Sequence, residues 1–314
     1  LMSVTTGDAN IVAGYQAGND ITTGEANICI GNRAGDEFDA ENYNIFIGED
    51  AGGGAINGAD KCIAIGKSAL DGAITQDGTI AIGHDSLSGV TSGNYNLAIG
   101  FEALKGITTG TSNIAIGYQA FDSANGAEDN NIAIGVSALG NADHDDLERN
   151  IAIGHYAGDG MGAFANLDNI FIGHGAGGGT WVNNNCDANV GIGNYSMDAA
   201  MDDANNNTAL GHQSLSALTT GDSNVAVGTN SLDANDTGNG YTALGYNSLS
   251  AQAGTTHGTT AVGHNAYYLN NYGGTWELSV AVGYEAGGNQ TGGFYNTFLG
   301  ASTTGNDATA TNQI

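Results

Sequence analysis

The 314-residue chain carries 33 acidic and only 5 basic residues, a net charge of −28, together with 53 glycines and no proline. This balance excludes nucleic acid and anionic membranes as partners, and the regular spacing of the glycines excludes collagen and flexible linkers. No run of 18 apolar residues spans a membrane and no signal peptide opens the chain.

The chain begins in mid-rhythm at Leu1-Met2, and from Asn10 onward one unit recurs, cleanest at Asn113 to Ala120, Asn131 to Ala138 and Asn150 to Ala157: Asn-Ile-Ala-Ile-Gly-x-x-Ala. Its closing glycines are Gly14, Gly31, Gly48, Gly66, Gly83, Gly100, Gly117, Gly135, Gly154, Gly173, Gly193, Gly211, Gly228, Gly245, Gly263, Gly283 and Gly300, spaced 17 to 20 residues apart. A two-helix repeat or a propeller blade needs roughly 34 residues or more, so the period fits one coil of a solenoid. The prediction is an all-β chain, one parallel β-solenoid domain over 1–314. At about 4.8 Å per rung, its seventeen rungs make a rod of roughly 80 Å.

Along each predicted strand, the residues three before and one before the glycine share a face. They are Ile28 and Ile30 early in the chain and Ile114 and Ile116 in the middle, softening to Val225 and Val227, then Thr242 and Leu244. These are expected to stack as the coil interior. The residue between them faces the other way. It reads Val12, Cys29 and Phe46, then Ala64, Ala81, Ala98, Ala115, Ala133 and Ala152, then Phe171, Gly191, Ala209, Ala226, Ala243, Ala261, Ala281 and Phe298, with no charge anywhere. A strand apolar on both faces is covered on both. The expected second cover is another copy of the chain, packed along Ala64, Ala81, Ala98, Ala115, Ala133, Ala152, Phe171, Ala209, Ala226 and Ala243. The alternative is cover by the chain's own loops or by a different partner.

Four residues before the glycine, Asn stands in twelve of the seventeen rungs. That column predicts either a stacked amide ladder or a turn. The closing glycine predicts positive φ or a close backbone approach at a corner. Ile21-Thr22-Thr23-Gly24, Ile107-Thr108-Thr109-Gly110 and Leu218-Thr219-Thr220-Gly221 mark a second turn ten residues earlier, and with it a second straight side.

The unit Asn207-Thr208-Ala209-Leu210-Gly211-His212-Gln213-Ser214-Leu215 resembles the repeats of phage tail fibres and related virion appendages. The Ile-Ala-Ile-Gly core is similar to the head repeat of trimeric autotransporter adhesins. The 17–20-residue rung departs from the shorter adhesin coil and favours the fibre-like relatives. The resemblance implies a homotrimeric, extracellular or virion-borne fibre shaft that extends towards a host surface, with no catalytic residues. A cell-surface adhesin or filament, and a glycan-binding or depolymerising tailspike, are the alternatives. The two ends lack recognisable caps, which suggests a segment of a longer fibre or a unit that stacks end to end.

The rungs that break the rhythm are the expected recognition sites. The longest run from Gly173 to Gly193 and from Gly263 to Gly283. They carry Trp181 and, in the second, Tyr267, Tyr268, Tyr272 and Trp276, candidate contacts for a host-surface receptor or glycan. Against that stands a role in capping loops or filling interchain grooves. His84, His155, His174, His212 and His264 share the position after the glycine, with His155 and His174 in consecutive rungs. They lack the convergent spacing of metal ligands and read as wall residues. The acidic loop Asp143 to Glu148 lacks EF-hand spacing, so no cofactor is expected beyond loosely bound calcium. Cys29, Cys62 and Cys186 show no disulfide or zinc spacing and read as small buried side chains.

Overall fold

The computed structural model describes residues 5–75, 77–250, 258–268, 276–288 and 293–304. Its described residues form a parallel β-solenoid of two compact units, one of residues 1–156 and 162–165, the other of 157–161 and 166–314. In the first unit nine three-residue strands pair in parallel and in sequence order: β1 (Ile11–Ala13), β2 (Ile28–Ile30), β3 (Ile45–Ile47), β4 (Ile63–Ile65), β5 (Ile80–Ile82), β6 (Leu97–Ile99), β7 (Ile114–Ile116), β8 (Ile132–Ile134) and β9 (Ile151–Ile153). The second unit opens on a 3-10 turn at Asp159–Met161. It stacks β10 (Ile170–Ile172), β11 (Val190–Ile192), β12 (Thr208–Leu210), β13 (Val225–Val227), β14 (Thr242–Leu244), β15 (Thr260–Val262), β17 (Val280–Val282) and β19 (Thr297–Leu299) in the same way. A minor ladder pairs β16 (Trp276–Glu277) with β18 (Gly293–Phe294).

Register is kept by like residues stacking on like: Ile114 on Ile132, Ala115 on Ala133, Ile116 on Ile134. Each three-residue strand then ends because the chain turns hard at its glycine. Gly117 has a φ of 145° and Gly228 one of 134°. A Cβ on Gly117 would collide with the carbonyl of Gly135, whose carbon lies 2.6 Å from it, and one on Gly228 would meet the carbonyl carbon of Gly245 at 2.6 Å. The predicted corner therefore needs glycine for two reasons, the left-hand φ and the backbone of the next rung.

Three further corners in each coil are left-handed, such as Ser112, Gln119 and Phe121 in one rung and Ser223, Asn230 and Leu232 in another. Such conformations cost non-glycine residues on the order of 1 kcal/mol each, and rung-to-rung bonds offset that cost. Gln119 N donates to Phe101 O at 2.9 Å and Phe121 N to Ala138 O at 2.9 Å. The Thr-Thr-Gly segments stack similarly, with Thr22 N donating to Asp39 O at 2.9 Å, but as turns. Away from the main sheet, the described residues carry only the two-residue ladder of β16 and β18 and an isolated bridge between Asp129 and Glu148.

The asparagine column is a ladder. Asn131 N and Nδ2 both donate to Asn113 Oδ1, at 2.9 and 3.3 Å, and Asn113 does the same to Asn96 at 2.9 and 3.2 Å. The pattern recurs from Asn189 through Asn207 to Asn224, and Tyr241 N closes that run on Asn224 Oδ1 at 2.9 Å. The free amide proton of each goes to a carbonyl across the coil, Glu128 O for Asn113 at 2.7 Å and Gly221 O for Asn207 at 2.8 Å.

The two faces of the strand are exchanged relative to the sequence expectation. Ala64, Ala81, Ala98, Ala115, Ala133, Ala152, Phe171, Ala209, Ala226 and Ala243 are fully buried inside their own coil, so they are not the interchain strip they were expected to form. The isoleucines beside them point outward and are only half-buried. The reason is parity. The ladder asparagine is buried, and the residue two after it shares its face. The interior is also narrow at the strand, where small residues leave room for larger ones elsewhere in the coil: in one rung it consists of Ile107, Asn113, Ala115, Ala120 and Phe121, all without solvent exposure. Volume is traded within a coil. Where Phe46 or Phe171 replaces alanine, the residue six later is Gly52 or Gly177, and a Cβ there would press on the ring at 2.6 or 2.7 Å. Where alanine stands, that residue is commonly large, as at Leu104, Phe121 and Leu139.

Candidate interaction surfaces

Each unit presents one outward sheet face two side chains wide. In the first it is Ile on Ile but for Leu97, from Ile28 and Ile30 to Ile151 and Ile153. In the second it passes from Ile170 and Ile172 to Thr208 and Leu210, then Thr242 and Leu244. None of these positions carries a charge, in a chain of net charge −28. Leu210 and Leu244 remain 47% and 46% exposed. With three residues of about 3.3 Å across and eight or nine rungs of about 4.8 Å along, each unit exposes an apolar strip of roughly 400 Å². Contiguous patches of that size mark interaction sites.

The column after the closing glycine borders this strip. His84, Phe101 and Tyr118 stack there at successive 5.3 Å spacings with planes 16° and 8° apart, and Tyr246, His264 and Tyr284 stack at 5.0 and 5.3 Å. The rings spend their faces on each other. His155 packs on Tyr156 at 3.9 Å and His174 edge-on to Tyr195 at 5.1 Å, so these histidines are wall residues in aromatic rows.

The aromatic residues expected to meet a receptor are placed differently from one another. Trp181 is buried, edge-on to Phe171 at 5.7 Å, and it fills the core column that Met201 and Leu218 fill in the next two rungs. Tyr267 is fully buried against Phe298 at 5.9 Å, and burial pushes its hydroxyl pKa above the usual range. Neither is available to a receptor, because each replaces aliphatic volume in the coil. Tyr268 alone among the described side chains of that set is exposed. Tyr272 lies outside the described residues, and Trp276 is described only as backbone of β16.

The three cysteines are buried and unbridged, and burial pushes the Cys29 and Cys186 thiols up to about 12. In the acidic loop, His144 Nδ1 accepts from Asp146 N at 3.1 Å, Leu147 is buried, and Glu148 pairs with Arg149. Among the described residues no three acidic, His or Cys side chains converge in a way that could hold a metal ion.

A second ladder was missed. Six residues before thirteen of the seventeen glycines stands a carboxylate or an amide, and along several rungs its Oδ1 accepts the backbone N–H of the preceding rung. Asn42 N donates to Asp60 at 2.7 Å and Asp60 N to Asp77 at 2.8 Å. In the second unit Leu167 N donates to Asp187 at 2.8 Å, Asp187 N to Asn205 at 2.7 Å and Asn205 N to Asp222 at 2.7 Å. The signal was visible as Asp8, Glu25, Asn42, Asp60 and Asp77 at one position. In the long rung before Gly193 this ladder floors a polar groove of about 640 Å³, walled by Asn183, Asn184 and Asp203.

Compared with known proteins, the chain matches no family model, no curated protein and no solved structure.

Proposed function

We propose that the chain is a non-enzymatic structural element: the shaft of an extracellular or virion-borne fibre, assembled from copies of itself and directed towards a host surface. The observation that carries this reading is the charge-free outer face. A chain this acidic repels its own copies, yet it keeps one outward strip of isoleucine, valine, leucine and threonine in both units. The cover is a second and third copy of the same strip, three being the number that the resemblance to fibre repeats suggests. Each unit's strip of roughly 400 Å² is of the size that marks an interaction site. The interchain seam moves from the alanines to the isoleucines, and the partner remains the chain itself.

Native mass decides it. Three chains of 31.5 kDa are expected from the wild type, and replacing Ile82, Ile99 and Ile116 together by Glu should leave sheet circular dichroism intact while yielding single chains. A wild-type monomer, or an unchanged assembly in the variant, would sink the reading.

A further inference from the structure

We propose that the second unit binds calcium along the surface column Asn230, Asn247 and Asn265. The site is built by one chain and is independent of the fibre reading.

The three residues stand two after the closing glycines Gly228, Gly245 and Gly263 of successive rungs. Asn230 N donates to His212 O at 3.0 Å, Asn247 N to Thr229 O at 3.0 Å and Asn265 N to Tyr246 O at 2.9 Å. All three are left-handed, with φ of 54°, 50° and 53°. The same backbone held by the same bonds sets their side chains in one row, about 4.8 Å from rung to rung. Their Oδ1 atoms are closed to solvent and accept no hydrogen bond among the described residues. One such oxygen is uncommon, because it forfeits its hydration without return. Three in consecutive rungs point to a shared partner.

The first unit shows what this column takes. At the same position Arg33 pairs with Asp50 at 2.6 Å, Lys105 joins Asp85 at 3.4 Å and Glu102 at 2.6 Å, and Gln119 Nε2 donates to Glu102 Oε2 at 2.8 Å. Its oxygens are met by cations and one amide of the chain itself. The second unit has no Lys or Arg after Arg149. Nor do its three amide oxygens accept from one another, as Asn113 Oδ1 accepts from Asn131 Nδ2 in the inner ladder. The cation therefore comes from solution.

Spacing selects the ion. Midway between oxygens about 4.8 Å apart, an ion lies about 2.4 Å from each, inside the calcium range of about 2.3–2.6 Å and too far for magnesium at about 2.0–2.1 Å. Amide oxygens are ordinary calcium ligands, and water completes the shell. Carboxylates stand at both ends of the row. Asp233, three residues after Asn230, keeps its Oδ1 buried without a partner, and Glu285 takes the column position in the rung after Asn265.

The test uses protein stripped with EDTA, returned to sodium chloride buffer and titrated with calcium or magnesium chloride. Calorimetry and melting temperature are read, together with terbium luminescence sensitised by Tyr246, the neighbour of Asn247. The comparison is Asn230→Ser with Asn247→Ser and Asn265→Ser. Serine holds this position at Ser68 and Ser137 with φ of 51° and 50°. No charge changes, so diffuse cation binding to the acidic surface is the same in both proteins. The wild type should bind calcium at least tenfold more tightly than the variant and melt higher in calcium but not in magnesium, with calcium displacing terbium. The variant should keep the metal-free melting temperature and lose these responses. Asn247→Ser alone, which removes the middle oxygen, gives the same loss should the triple variant fold poorly. Equal calcium affinity in wild type and variants, an equal response to magnesium, or no calcium response in the wild type would each overturn the proposal.

Discussion

The two units share an interior and differ at the surface. Inside, Ile107, Asn113, Ala115 and Phe121 of the first correspond to Leu218, Asn224, Ala226 and Leu232 of the second, all buried. Outside, the first unit holds every basic residue of the chain, with Arg33 on Asp50 at 2.6 Å, Lys67 on Glu49 at 3.2 Å, and Lys105 on Glu102 at 2.6 Å and on Asp85 at 3.4 Å. The second has acidic and amide groups without any Lys or Arg after residue 149. The coil is thus specified by its small interior columns and its hydrogen-bond ladders, and surface charge is free to change. Interior substitutions should therefore act alike in both units, and surface substitutions should not.

The largest effect is expected at the inner alanines. Ala115→Glu and Ala226→Glu each place a carboxylate in a space that held a methyl group, with no partner, at a cost of several kcal/mol. Both variants should lose sheet signal and expose the coil to protease. A folded, monomeric Ala115→Glu protein would restore alanine as the seam between chains.

Next come the corner glycines. Gly117→Val and Gly228→Val each combine a forbidden φ with a collision against the next rung, a loss on the order of 3 kcal/mol. The expected drop in melting temperature is similar for the two. A large drop in one unit with an unchanged curve in the other would break the idea of a common interior.

The amide ladder follows. Asn113→Ala removes the donor to Glu128 O and the acceptor for Asn131 N, and Asn207→Ala removes the matching bonds to Gly221 O and from Asn224 N. Each leaves buried backbone groups unpaired at about 1–3 kcal/mol. The bonds are equivalent in geometry, so calorimetric losses differing by more than twofold would mean that one unit relaxes where the other does not.

Much of this was legible in the residues. The period pointed to a solenoid coil, the closing glycine to a corner that turned out to need both of its two reasons, and the asparagine column to a ladder or a turn, of which the structure holds the ladder. The strand faces were misread because isoleucine outranks alanine in hydrophobicity, whereas the coil sorts side chains by available space. Two signals pointed the right way: the parity of Ala115 with Asn113, and the pairing of Phe46 with Gly52 and Phe171 with Gly177. Trp181 was misread because a tryptophan in a long rung suggests an exposed loop, although it sits where Met201 and Leu218 sit in the following rungs. The groove was missed because Asn183 and Asn184 look like any polar loop until Asp202 fixes them.

The smallest effect probes the surface difference itself. Asp122 and Asp233 hold the same place, five residues after Gly117 and Gly228, and burial raises the pKa of both. Beside Asp122 the charges of Glu102, which raises it, and Lys105, which lowers it, oppose each other, whereas no neighbouring charge shifts Asp233, which keeps one oxygen buried without a partner and reaches about 6 from an unfolded value of 3.8. A carboxyl whose folded pKa lies above its unfolded one binds its proton more tightly in the folded state. Stability therefore rises as pH falls from above 6 towards 4, and the charged group costs most above 6. The shift corresponds to about 3 kcal/mol at full strength; solvent screening of this half-buried group reduces that to about 1 kcal/mol. Asp233→Asn should then raise the melting temperature at pH 8 and leave it unchanged at pH 4, with a smaller gain for Asp122→Asn. An equal or larger gain at Asp122 would show that its carboxylate is no better accommodated than that of Asp233, and the contrast between the two positions would be lost.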